Sequence, residues 1–484
     1  MRPRKYEHLA RQISADYKGG SKEPLPSVAV LASRYDVSYV TMWKAIRHAR
    51  QQGLLHSGKP KNVAPRRIYE KIKAAILEGD YRRGRPLPKQ VYLAGTYHVS
   101  AHTIIAALRR LANEDLVHKK GKRWIAGPPH PARKAAGFAD SSNPVVLLVL
   151  PNEYDWYRID SSDIRAQFTI PFAQEMDRYG FQLELAREIG DREITRAELK
   201  AQLSRTMKRV RALGRRYAGT LFIYFQQSRT GVIFHEWVEQ LLRYKKPVVF
   251  FDFANQWPQF TRGYVHNYRH YYRLYQDESQ ALHLALSTLE NNGHRRIGYP
   301  DCGDGSWIRH RFEHLLAIAR TRSADIKCAT ALPAHGRSLV EHTYQTAHAA
   351  LTRRFETLYQ KRVSRHFIGL LYNCICSLTA LCEKHKPTAI IAPNDVFGRE
   401  MHFWLEQIGI SIPSDLSLIS FDNLPFSVAF PISTIDFGFG KLAYLAAHAL
   451  IGDIPVRADR KGQIGGTCTI AHRGSVGRLA GSGV

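Results

Sequence analysis

One spaced pattern occurs twice near the start of the chain, and it limits the folds available there. Residues Leu25 to Thr41 read Leu-Pro-x4-Leu-Ala-x2-Tyr-x-Val-Ser-x2-Thr, and residues Leu87 to Thr103 repeat that spacing 62 positions later. Each copy follows a stretch with helical periodicity, Tyr6–Tyr17 and Arg67–Glu78, and each runs into another, Thr41–Gln52 and Thr103–Asn113. Two copies of so long a period indicate a duplicated domain, not a solenoid.

Within each copy a short helix bearing Leu31-Ala32 or Leu93-Ala94 is followed by a tight turn. Ser38 and Ser100 then stand where a helix N-cap belongs, just ahead of an apolar-periodic run. Helix, short turn and capped second helix make a helix-turn-helix. Beyond it, Gly53-Leu-Leu-His-Ser-Gly-Lys-Pro-Lys61 and Leu116-Val-His-Lys-Lys-Gly-Lys-Arg-Trp124 read as β-hairpin wings with basic tips. A winged helix lays its capped helix in the major groove and its wing along phosphates.

The charge fits such a partner. The 484-residue chain has a net charge of +28, and residues 1–134 hold 28 Lys and Arg against 9 Asp and Glu. A basic segment that keeps apolar periodicity is a folded polyanion-binding module. The composition, 44 % apolar, excludes a disordered or collagen-like chain. The longest aliphatic run, Val145–Leu150, is far too short to span a membrane. No apolar segment follows the basic start, so no secretory leader is expected. None of the six cysteines forms a Cys-x-x-Cys pair, so no metal site is expected, and the chain reads as cytoplasmic and reduced.

Each copy resembles the winged helix of GntR-type bacterial regulators. The resemblance rests on Leu25-Pro26-Ser27, Leu31-Ala32, Tyr35, Val37-Ser38, Thr41, Ala45 and Gly53-Leu54-Leu55, and on Leu87-Pro88, Leu93-Ala94, Tyr97, Val99-Ser100, Thr103, Ala107-Leu108 and Leu111. It implies DNA contacts from Ser27, Arg34, Ser38, Tyr39, Thr41, Trp43, Lys44, Arg47, Lys59 and Lys61 in the first copy. In the second it implies Ser100, His102, Thr103, Arg109, Lys119, Lys120, Lys122 and Arg123. The arginines that the family often carries after Val-Ser, and four residues later, are replaced by Tyr39 and Trp43 and by Ala101 and Ile105. The first copy, with Lys44, Arg47 and Arg50, is therefore expected to read bases and the second mainly to grip phosphate. A structural or dimer-forming role for the second copy stands beside that reading.

Residues 128–143 have the Pro, Gly, Ala and Ser content of a linker. Strand and helix patterns then alternate. Strands are predicted at Val145–Leu150, Phe181–Ala186, Gly219–Tyr224, Pro247–Phe251, Arg296–Tyr299, Ala389–Ala392 and Leu416–Ser420. Helices are predicted at Ile164–Tyr179, Phe234–Tyr244, Asp277–Asn291, Ile308–Ala319, Leu370–His385 and Phe397–Gln407. This is a parallel α/β architecture, expected in two lobes. The predicted organisation is winged helices over 1–63 and 64–127, a linker over 128–143, an α/β domain over 144–477 and a tail over 478–484.

Ligand sites in such folds lie at the carboxyl ends of strands. Those ends carry Asp252, Asn394-Asp395 and Asp422, with Arg311 on a following helix and Trp156, Tyr157 and Trp307 nearby. Carboxylates that accept from paired hydroxyls, with a ring to cover an apolar face, suit a polyhydroxylated ligand; each Asp alone could equally cap a helix. The region resembles the effector domain of the LacI/GalR family, a periplasmic-binding-protein fold. The resemblance is carried by Gly293–Gly298, Pro387–Asp395, Gly409–Asn423, Ser433–Asp436 and Arg473-Gly-Ser475. It implies effector contacts at Asp395, Arg311 and Asp422, with Arg165 and Phe168 facing the same cleft. His314 stands where that family usually has Gly, 325–365 aligns with nothing, and 190–215 is unusually basic.

The whole resembles arabinose-repressor-type hybrids, with one winged helix more. It implies a DNA-binding transcriptional regulator, a homodimer on a double-stranded operator, controlled by a small polar effector such as a sugar, with no cofactor. Two alternatives remain: a non-specific architectural nucleic-acid binder, and a winged helix fused to a pyridoxal-phosphate enzyme. Against the enzyme, the chain has no Schiff-base lysine motif, Gly-x-Gly-x-x-Gly, P-loop, Gly-x-Ser-x-Gly or His-Glu-x-x-His.

Overall fold

The computed structural model describes residues 5–17, 31–52 apart from 33, 36 and 38, 65–129, 143–151, 164–189, 195–224, 231–252, 270–302, 306–322, 326–328 and 365–479. The chain divides into two compact units. One is Met1–Ala136 with Asp453–Arg457, and the other is Gly137–Gly452 with Ala458–Val484.

In the first unit, α1 (Lys5–Tyr17) and α2 (Tyr39–Gln51) enclose a small core of Leu9, Ile13, Leu31, Met42, Ala45, Ile46 and Ala49. A second core is built from α3 (Pro65–Leu77), α4 (Gln90–Thr96), α5 (Ala101–Ala112) and the antiparallel hairpin β1 (Val117–Lys120) and β2 (Arg123–Ala126). The turns match across the 62-residue offset. The amide of Tyr35 donates to Leu31 O at 3.0 Å and that of Val37 to Ala32 O at 3.0 Å. Tyr97 donates to Leu93 O at 3.0 Å and Val99 to Ala94 O at 2.9 Å.

The second core has a contributor the sequence did not suggest. Ile454, more than 300 residues downstream, is buried among Ile68, Ile72, Leu87 and Leu116. The same segment supplies Asp453, paired with enclosed Arg83, and Arg457, paired with Glu78 at 2.7 Å.

The second unit contains two six-stranded sheets. In the first, β3 (Val145–Pro151), β4 (Gln182–Ile189), β5 (Tyr217–Tyr224), β6 (Val248–Asp252), β7 (Tyr271–Tyr275) and β13 (Gln463–Gly465) lie in the order β13-β7-β6-β5-β3-β4, all parallel. In the second, β8 (Ile297–Tyr299), β9 (Ile326–Cys328), β10 (Ala389–Ile391), β11 (Ser417–Phe421), β12 (Ser433–Asp436) and β14 (Thr469–Ala471) lie in the order β14-β12-β11-β10-β8-β9. Only the β12–β14 pair is antiparallel.

The chain passes between the sheets three times: after β7, after β12, and between β13 and β14. Gly466 stands at the last passage, where an added Cβ would lie 2.3 Å from Phe437 O, so the backbones meet too closely for any side chain. The helices that matter below are α6 (Ala166–Arg178), α7 (Arg196–Leu213), α8 (Gly231–Leu242), α9 (Glu278–Asn291), α10 (Ser306–Arg320), α11 (Arg365–His385), α12 (Asp395–Gln407) and α13 (Phe439–Ile451).

Several elements escape a reading of sequence patterns. Helix α13 is apolar on nearly every side and buried along its whole length, so it shows no amphipathic period. Strand β7, Tyr-Tyr-Arg-Leu-Tyr, carries a buried arginine that breaks the aliphatic pattern. Helix α7 hides its apolar positions Leu203, Met207 and Val210 among eight basic residues between 196 and 216.

Candidate functional site

The first candidate surface lies on the module of α3, α4, α5 and the β1–β2 hairpin. Ser100 caps α5, its hydroxyl accepting from Thr103 N at 3.1 Å and lying 2.9 Å from Thr103 Oγ1. Ile104, Ala107, Leu108 and Leu111 face the core, which leaves His102 and Arg109 exposed on the other side. Arg110 is held over the Tyr69 ring at 4.2 Å. The hairpin turns at Gly121 with φ +59, a conformation that favours glycine, and Lys119, Lys120, Lys122 and Arg123 are all exposed around it. An exposed helix face beside a basic hairpin tip is the geometry of groove and phosphate contact. Val91 and Tyr92 on α4 are exposed as well.

In the first module α2 exposes Lys44 and Arg47, with the Arg47 guanidinium 5.3 Å from the centre of the exposed Trp43 ring. Thr41 is half-buried and Arg34 is exposed. Ser27, Ser38, Lys59 and Lys61 lie outside the described residues, and of Tyr39 only its place on α2 is described.

The second candidate site gathers polar side chains at the carboxyl ends of β10 and β11. Asn394 caps α12, accepting from Phe397 N at 3.1 Å. Asp395, the next residue, is almost wholly buried, with Ser420 donating to one carboxylate oxygen and Leu424 N to the other at 2.7 Å. Burial pushes its pKa up against the pull of these donors. Asp422 directly follows β11 with φ 99, and Asn423 comes next with φ 47. Both lie in the left-handed region that non-glycine residues adopt at a cost. They are fixed by Asp422 N to Ile435 O at 2.9 Å, Asn423 Nδ2 to Asp436 at 2.9 Å and Arg473 to Asn423 Oδ1 at 2.6 Å.

Asp422 is buried beside Arg311, Asp395 and Glu278. Loss of hydration raises its pKa to about 8, and the two neighbouring carboxylates add to the rise while Arg311 opposes it. Arg311 on α10 is buried over the Phe421 ring at 4.5 Å, and it donates to Glu278 and to the carbonyl of Pro393. Burial alone would lower its pKa, but the charge and hydrogen bonds of Glu278 outweigh that and keep it cationic.

Asp395, Asn394, Asp422 and Arg311 are thus brought together. Asp252 sits at the end of β6 in the other sheet, fully buried, accepting from Arg273 Nη2 at 2.7 Å and Nε at 3.2 Å. Phe168 is fully buried, stacked on Phe251 with ring centres 4.0 Å apart. Arg165 is half-buried at the start of α6. Trp156 and Tyr157 lie outside the described residues, and Trp307 is placed on α10 without a described side chain.

Sequence reasoning missed Glu278 and Arg273, the countercharges of Arg311 and Asp252. It also missed Gln167, whose Nε2 donates to the carbonyls of Asp422 at 2.9 Å and Asn423 at 3.2 Å. A buried charge requires a partner, so a search for opposite charges on flanking elements was the available signal.

Two family matches cover these regions. Residues 65–124 match the bacterial regulatory proteins of the gntR family. Residues 286–476 match the periplasmic binding protein-like domain. The chain joins a gntR-type DNA-binding domain to a periplasmic-binding-protein-like effector domain, and it is a ligand-responsive, DNA-binding transcriptional regulator. The gntR match covers the second module alone.

No curated protein matches the chain in sequence. Among solved structures, a LacI transcriptional regulator from a Rhodococcus species aligns at 15 % identity and a TM-score of 0.42, over 69 % of this chain and 98 % of that one. A LacI family transcriptional regulator from Arthrobacter sp. FB24, in complex with lactose, aligns at 13 % and 0.42, over 69 % and 100 %. A periplasmic binding protein/LacI transcriptional regulator from Alkaliphilus metalliredigens QYMF, complexed with D-xylulofuranose, aligns at 15 % and 0.39, over 69 % and 99 %.

Proposed function

We propose that the regulator binds a double-stranded operator through two tandem helix-turn-helix modules, and that a sugar-like effector held at the ends of β10 and β11 sets its operator affinity. The observation that carries this is the buried cluster of Asp395, Asp422, Asn394 and Arg311, on backbone held in a costly conformation. Strained backbone around buried polar groups is maintained where a ligand is recognised. Carboxyl groups exchange hydrogen bonds with sugar hydroxyls, accepting when ionised and also donating when protonated, as Asp422 is below about pH 8. The effector changes operator affinity only by its differential affinity for two lobe arrangements.

In this reading the protein works in the cytoplasm as a homodimer. Its two half-sites lie about 34–36 Å apart, or a multiple of that. The repeated turn bonds of Tyr35 and Val37 support helix-turn-helix geometry in the first module as well as the second. Lys44 and Arg47 would face base edges, and Lys119, Lys120, Lys122 and Arg123 would face phosphate.

The test is duplex binding by fluorescence anisotropy against a panel of free sugars and sugar phosphates. The expected result is one class of sugar that shifts affinity fivefold or more. Asp395→Ala and Asp422→Asn then lose the response while sugar-free duplex affinity stays within about twofold. A response that survives both substitutions would remove the cluster from the effector site.

A further inference from the structure

Helix α7 is the most cationic element on the second unit. Residues 135–484 carry a net charge of +9, and residues 196–216 alone hold eight Lys and Arg against one Glu, a net of +7. That single acid, Glu198, is occupied in the capping box that starts the helix, accepting from Thr195 N at 2.8 Å. The remaining charge is sorted by face. Leu203, Thr206, Met207 and Val210 are buried against the first sheet's core. Arg209 is drawn inward to Leu185 O at 2.8 Å, and Arg216 reaches Asn143 O and Gln182.

Lys200, Lys208 and Arg211 are exposed at i, i+8 and i+11, with Ser204 between them. This spacing places them on one stripe about 16 Å long. Past the helix end, in the turn that follows Leu213, Arg215 is exposed as well. Among the described residues none of these four has an ion-pair or hydrogen-bonding partner for its side chain.

Such a face costs the helix stability, because Lys208 and Arg211 are like charges at i, i+3, unfavourable by about 0.2–0.5 kcal/mol. Surface helices ordinarily offset such charge with interspersed acids. Here none stands on the stripe. The charge complements a polyanion, and the chain carries a DNA-binding domain that brings such a polyanion to the same molecule.

We propose that the exposed face of α7 is an auxiliary phosphate-binding surface for duplex DNA beyond the segment gripped by the winged modules. The inference rests on the DNA-binding reading above. It adds that the effector domain itself contributes sequence-independent contacts, so affinity grows with the length of DNA flanking the site.

The experiment uses the full chain with mixed-sequence duplexes of 12 and 60 base pairs, titrated by anisotropy from 50 to 300 mM KCl. The triple variant Lys200→Gln, Lys208→Gln, Arg211→Gln alters only exposed side chains, and its melting temperature is measured alongside. The variant's slope of log affinity against log salt on the 60-base-pair duplex should be shallower than the wild type's by about two to three, since each phosphate no longer neutralised removes roughly 0.9 from it. At 50 mM KCl its affinity for that duplex should fall at least tenfold, while its affinity for the 12-base-pair duplex stays the same. An unchanged slope on the long duplex would overturn the proposal, and so would an equal loss on both lengths, which marks a general field effect. Lys119→Gln with Lys120→Gln serves as control and should weaken both lengths. If the wild-type chain binds neither duplex, the DNA-binding reading fails along with this one. If it binds both and only the α7 variant is silent, this inference alone fails.

Discussion

Gln167 donates through Nε2 to the backbone carbonyl of Asp422 at 2.9 Å, and so ties the start of α6 beside the first sheet to the end of β11 in the second. The hydrogen bond links an element of the first sheet to the second and lands on the residue held at φ 99. A bond of this kind contributes only to the arrangement in which the two lobes are together. Gln167→Ala should therefore weaken effector binding by about five- to tenfold, the worth of one hydrogen bond of about 1–1.5 kcal/mol. Calorimetric titration with the sugar that shifts duplex affinity checks this, with the melting temperature as a control for folding. Unchanged affinity would mean that the bond does not bear on closure.

Asp422 gives the fold a defined pH dependence. Its folded pKa is raised to about 8 by burial, well above that of an unfolded aspartate. Between those values the unfolded chain loses this proton and the folded one keeps it, so the group's contribution to stability falls as pH rises from about 4 to 8 and is constant above. Asp422→Asn cannot ionise. The variant should gain stability relative to wild type progressively across that window, with the gain complete at pH 9 and absent at pH 4. Urea midpoints of both proteins at pH 4, 6, 7 and 9 measure it. A difference independent of pH would contradict the raised pKa.

Arg311 depends on Glu278 for its charge to be tolerated. The pair is enclosed, with Arg311 Nη2 donating to Glu278 Oε2 at 3.0 Å. Glu278→Gln removes the carboxylate that pairs directly with this buried cation, leaving only the Asp422 carboxyl beside it, and should cost about 3–5 kcal/mol. The chemical-denaturation midpoint of the full chain reads this out. A loss below about 1 kcal/mol, the scale of an exposed pair, would show that the carbonyl of Pro393 and the Phe421 and Phe437 rings suffice to hold the guanidinium.

The two modules should respond differently to single alanine substitutions. Lys44 lies on the exposed face of α2, and Lys120 lies on the hairpin beside Gly121. Lys44→Ala should reduce affinity for the selected operator by about tenfold, the worth of one base contact, with a smaller effect on mixed-sequence duplex. Lys120→Ala should weaken both by a similar factor and make the salt slope shallower by about 0.9. Equal behaviour of the two variants would mean that both modules read bases, or that neither does.

Patterns that the backbone imposes were legible before the structure. The 62-residue repeat placed Tyr35 and Tyr97 at equivalent turns, and their amide bonds are the same length. The aliphatic runs at Val145 and Ala389 announced buried parallel strands. Pairings between distant residues were not legible. Arg273 reads as a surface arginine until β7 is laid beside β6 and Asp252 is found next to it. Ile454 follows a helix of the second unit and reads as a loop residue, yet it is buried in the core of the first unit. At the candidate site the strand ends were found by position, but the strain at Asp422 and the reach of Gln167 depend on tertiary closure, which no local pattern encodes.

Sequence-specific DNA binding by a symmetric assembly is the property on which the proposed effector-controlled regulation depends. Selection of bound duplexes from a random pool by the full chain measures it without assuming an operator. An enriched inverted repeat is expected, with half-sites separated by one helical turn or a multiple of it. Recovery of duplexes with no shared motif, retained only in proportion to length and low salt, would contradict it and leave the DNA-binding unit as a phosphate grip.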